Sequence, residues 1–169
     1  MGLRDVGLLV SRGVLGGYLA AHGAQKLWGA FEGPGLEKTA AGFEHLGMRP
    51  GKVTAAAAGV SEFGGGVLTA LGLADPMGPM VLTGTMAVAM TTHRKNGPFA
   101  GKGGYELALT NLAAAVALWV SGPGRYRMGP GLPKSLIKLG TLAGAGAAGY
   151  TISQQLRTAR EAERQTAKG

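Results

Sequence analysis

VTAAAAGVSEFGGGVLTAL, residues 53–71, is an apolar run of small side chains with one ionisable group, Glu62, at its centre. Extended to Leu73, it has the length of a helix crossing a hydrocarbon core of ~30 Å at ~1.5 Å per residue. A carboxylate at that depth costs several kcal/mol unless it is paired or reaches water. The run therefore predicts a helix whose Glu62 turns inward to meet something on a neighbour.

The neighbours have the same character. A first apolar segment runs from about Asp5 to Ala30 and carries Arg12, His22 and Lys26. A third covers Met80–Thr92 and ends in His93-Arg94-Lys95, and a fourth covers Tyr105–Ser121, with Glu106 at its start. Pro76 and Pro79, Pro98, and Gly122-Pro123-Gly124 punctuate these segments. The connector 31–52 is polar, with a short interfacial helix expected over Glu37–Leu46. A fifth segment, about Leu136 to Ile152, has small residues spaced for close packing in lipid, followed by a polar tail. The expected fold is all-α: an integral membrane four-helix bundle over residues 1–128, with a fifth transmembrane helix and tail over 129–169.

Composition agrees. Only 15% of the 169 residues are charged, low for a soluble domain. Lys+Arg number 17 against 9 Asp+Glu, a net charge of +8. The basic residues gather in connectors, not along an amphipathic stripe, so they read as topology signals and no nucleic-acid partner is expected. The larger basic set includes Lys38, Arg49, Lys52, Arg94, Lys95, Lys102 and the tail; it places the tail in the cytoplasm and the N-terminus outside. The expected location is the inner (plasma) membrane, multi-pass. Partners would be the bilayer and either other membrane subunits or further copies of this chain. Cysteine is absent, which excludes thiol chemistry on this chain. No H-E-x-x-H or comparable spacing supports a metal, and none is expected.

Alternating helices bring the ends bearing His22, Lys26, His93 and Glu106 to one face, with Arg12 approaching from the other. Arg12, Leu19 and Lys26 recur every seven residues, so they share one broad side of the first helix. Three readings of this cluster stand. His22 with Glu62 is a pair able to carry a proton. Arg12 with Glu62 is a structural ion pair. Lys26, near a helix end, can simply extend to the interface.

Taken in order, these residues resemble the DoxX family of small four-helix membrane proteins. The likeness rests on Arg12 with Gly16, His22-Gly23, Lys26-Leu27, Glu62, Leu71-Gly72, Gly103-Gly104-Tyr105-Glu106 and Gly122-Pro123-Gly124-Arg125. It spans about Leu8 to Arg125. Two features depart from the family pattern: Tyr126-Arg127-Met128 stands where Ser-Leu-Asp is frequent, and the fifth helix is additional. The resemblance implies a membrane protein tied to redox systems, since the DoxD relatives are subunits of thiosulfate:quinone oxidoreductases. On that reading a quinone is the candidate cofactor. His22 and Glu62 would be catalytic, exchanging protons with its head group. Arg12, Lys26 and Glu106 would bind the cofactor and set the charge states. The alternative is a non-catalytic scaffold or accessory subunit held together by the same charges.

Overall fold

The computed structural model describes residues 2–166. Six α-helices form: α1 (Leu3–Trp28), α2 (Gly35–His45), α3 (Gly51–Leu71), α4 (Met77–His93), α5 (Glu106–Ser121) and α6 (Lys134–Thr166). No strand occurs among the described residues. The stops are those the sequence marks. Gly29 and Gly72 close α1 and α3 in the left-handed conformation, at φ 71° and 64°. Helix α4 begins earlier than expected because Pro79 lies in its first turn, where a missing N–H costs nothing. Helix α6 runs on through the polar tail from Arg157, expected to be a frayed helix, and is continuous with the fifth segment as far as Thr166. Nothing from Gln154 to Glu161 breaks a helix, and Leu156 and Ala159 keep a half-buried side. Lys168, part of the basic tail counted above, lies outside the described residues.

Four helices make a closed ring, α1–α3–α4–α5 and back to α1, each antiparallel to the next. The α1–α3 crossing is the tightest. A Cβ on Gly66 would stand 2.5 Å from the Ala20 nitrogen and the Gly16 oxygen, and one on Gly23 would fall inside contact distance of the Phe63 backbone. Only glycine permits backbones this close. Leu15, Leu19, Leu82, Met86, Ala115 and Leu118 fill the ring's centre. Helix α2 lies across the end where α1 finishes and α3 starts. Helix α6 packs parallel to α4 on the outside: Gly140 meets Met77, Thr141 meets Met80, and Gln155 reaches Thr91 and Thr92.

The side chains are distributed inside out. Val10, Val14, Val53, Val60, Leu107 and Val120 are exposed, while Arg12, Glu62 and Thr69 are buried. Among the described residues no helix is long and apolar enough to cross a membrane. That departs from the expected four or five spanning segments, and the reasons are visible. Glycine and an internal charge dilute α1 and α3, while α4 and α5 have only 17 and 16 residues, about 25 Å each.

Candidate functional site

Glu62 stands midway along α3 and finds its partner on α1. Its Oε2 accepts a hydrogen bond from the Lys26 ammonium. The pair sits beside the Gly23–Gly59 crossing, so the glycines that bring the helices together also bring the charges together. The Glu62 side chain is 8% exposed and that of Lys26 23%. Lys26 occupies the last turn of α1, where the helix dipole favours a cation. Its long stem lets the ammonium fold back into the bundle while its base stays near the end. The reading in which Lys26 extends to the interface gives way to this bond.

The pair heads a chamber of about 440 Å³, within the range of small-ligand sites. Helices α3, α4 and α6 supply the walls, chiefly Ala57, Ala58, Val81, Val88, Ala147 and Ala148. Thr54, Ser61, Thr85, Thr92 and Thr151 add hydroxyls, and His93 an imidazole, to a largely apolar lining. Gln155 of α6 closes one edge. It accepts from Thr91 Oγ1 at 2.7 Å, donates to Thr92 Oγ1 at 2.7 Å and approaches Met48 Sδ at 3.1 Å.

His22, Arg12 and Glu106 do not converge on Glu62. His22 lies one turn before Lys26, half-buried, with its ring set edge-on against Tyr18 at 5.1 Å. It faces a groove under α2, and the carboxylate it was expected to meet bonds Lys26 instead. Arg12 is about 21 Å from Lys26 along α1. Its Nη1 donates to the Pro123 carbonyl at 2.8 Å, tying α1 to the end of α5. That guanidinium is 3% exposed, and its Nε has no partner among the described residues. Glu106 is exposed and accepts the Ala100 N–H at 2.9 Å, so it fixes the loop before α5. His93 does reach the chamber: it lines the same space as Lys26 and Glu62, and its Nδ1 lies 3.0 Å from the Gly103 carbonyl of that loop.

Asp75, at the Arg12 end of the bundle and outside the chamber, is a half-buried carboxyl that sequence reasoning did not single out. It occupies the α3–α4 turn near Arg12 and Arg127, and burial pushes its carboxyl above the ordinary range while those two cations pull the other way. Its setting in Ala74-Asp75-Pro76 reads only as a turn. Gln155 was likewise invisible, since a glutamine near a helix end carries no pattern of its own. No cluster of three or more metal-ligating side chains occurs among the described residues.

A family model described as DoxX matches residues 7–94, more than half of the chain. The matched segment holds α1 from Gly7 onward and α2 to α4, and with them Arg12, His22, Lys26 and Glu62; α5 and α6 lie beyond it. No curated protein and no solved structure matches.

Proposed function

Since the chain belongs to the DoxX family, whose members are membrane-associated, we propose that it is a multi-pass inner-membrane subunit of an oxidoreductase system. A quinone head group would be received in the chamber beside Lys26 and Glu62. The inverted distribution of side chains supports the membrane reading. Exposed Val10, Val14, Val53, Val60, Leu107 and Val120 are costly in water and at home in lipid. Buried Arg12 and Glu62 are where intramembrane charges belong. The shorter α4 and α5 suit a bilayer that thins locally around the bundle.

The observation that carries the functional reading is the ion pair at the head of an apolar chamber. The donor set fits a quinone: the Lys26 ammonium and the Ser61 hydroxyl can donate to ring carbonyls, and the aliphatic walls suit an isoprenoid tail. A quinone, when bound, takes up electrons and protons together. A proton passing from Lys26 to Glu62 would neutralise both without leaving a buried charge uncompensated. Glu62→Gln keeps the side-chain size and removes the titrating group. The expected result is a folded bundle that no longer supports quinone-linked turnover or binds a quinone in lipid nanodiscs. Turnover at the wild-type rate in that variant removes the catalytic role.

One observation favours the scaffold reading: the same bond joins the two most tightly packed helices. On that reading Glu62→Gln lowers the melting temperature and the yield of assembled complex, while each complex that does form works normally.

A further inference from the structure

Two cavities meet at one side chain. Beside the chamber, an open vestibule of about 380 Å³ lies between the last turns of α1 and the face of α2. Lys26, Phe43 and Leu46 line both spaces. The polar lining of the vestibule comes from His22, Gln25, Lys26, Lys38 and Thr39, and among the described residues no acidic side chain lines it. Of the nearby charges, Glu37 is bonded to Lys52 and Glu62 to Lys26. Lys38 has no salt-bridge partner among the described residues. The vestibule therefore holds positive charge that its own walls do not balance.

We infer that the vestibule binds a phosphate group, held by Lys38 and His22, with Lys26 able to turn from Glu62 to join them. The Lys38 ammonium and the His22 imidazole line the vestibule from two helices with no hydrogen-bond partner among the described residues, while the Gln25 amide and the Thr39 hydroxyl already donate to the Phe31 and Gly35 carbonyls; a tetrahedral oxyanion can accept from Lys38, His22 and a turned Lys26 at once. Because Lys26 serves both cavities, a vestibule anion and Glu62 compete for one ammonium. Occupancy of the vestibule thus changes the charge facing the chamber, whatever the chamber holds. The phosphate has two sources, a phospholipid head group at the membrane surface or a free phosphate ester, and the chemistry of recognition is common to both.

The test uses the full chain in nanodiscs of zwitterionic phosphatidylcholine and contains no quinone, so it stands apart from the redox reading. In one arm inorganic phosphate is titrated and followed by phosphorus NMR. In the other, phosphatidylglycerol is doped into the nanodiscs and the lipid retained by the released protein is counted by native mass spectrometry. Lys38 is exposed, so Lys38→Gln should fold normally and weaken binding roughly tenfold or more, the effect of losing one charged hydrogen bond. His22→Gln should weaken it in the same direction, and Lys102→Gln, on the loop before α5, should leave it unchanged. Saturable binding of inorganic phosphate that Lys38→Gln abolishes assigns a free anion; retention of phosphatidylglycerol alone, lost in the same variant, assigns the head group. Absence of binding in both arms, or equal weakening by Lys102→Gln, overturns the inference.

Discussion

Gly64 and Gly66 stand two residues apart on α3, and alanine at each should move stability in opposite directions. A Cβ on Gly64 meets nothing within 4 Å. Gly64→Ala therefore gains helix propensity, worth up to about 1 kcal/mol. A Cβ on Gly66 meets the Ala20 nitrogen and the Gly16 oxygen at 2.5 Å. Both are backbone atoms, so no rotamer change relieves the clash. Ordinary contact begins near 3.4 Å, so the helices must part by about 0.9 Å (3.4 − 2.5). Overpacking of this kind costs about 1–3 kcal/mol, and here the rigid partner favours the upper end. After the propensity gain is subtracted, Gly66→Ala should lose about 2 kcal/mol, and the two variants should differ by about 3 kcal/mol. Unfolding of both by heat or denaturant in one detergent measures the difference directly. Equal stabilities would show that α1 and α3 are not in backbone contact, and the placement of Lys26 against Glu62 would lose its foundation.

Asp75 gives a pH test. Burial raises its carboxyl above the ordinary 3.8, so the folded chain binds that proton more tightly than the unfolded one. The associated stability is complete below about pH 4 and is lost as the pH rises through the folded value. Asp75→Asn should flatten the dependence of Tm on pH across that interval; a neutral-pH Tm below wild type would mean that attraction to Arg12 and Arg127 outweighs burial. Gln155→Leu removes the hydrogen bonds to Thr91 and Thr92, a loss of about 1–2 kcal/mol. Amide exchange should then quicken along α6 near Gln155 and stay slow in α3; quickening throughout the ring would contradict the peripheral place of α6.

The helices were legible because apolar runs and Gly/Pro stops are local signals, and their antiparallel order followed from reading successive runs as spans that alternate in direction. The partners of the charges were less so. The fourteen-residue separation of Arg12 and Lys26, two steps of seven through Leu19, reports which side of α1 they occupy, not how deep they lie. About 21 Å of helix separates them, so one cation bonds Glu62 and the other bonds Pro123 at the opposite end. His22 and Lys26 share a side and nearly a depth, and the choice between them falls to the longer stem. Glu106 was misplaced for a different reason. As the first residue of α5 it is claimed by the Ala100 N–H nearby, a local demand that outcompetes a distant pocket.

The α1–α3–α4–α5 ring closes on itself, and α6 leans on one member from outside. A wall added after the frame is complete can be exchanged without rebuilding the frame. Chains that share the ring can carry a different sixth helix, or dispense with it, and each exchange would resize the chamber while Lys26 and Glu62 stay in place. On the proposed reading, the breadth of guest admitted would then be inherited separately from the chemistry that greets it, and the two could evolve at different tempos.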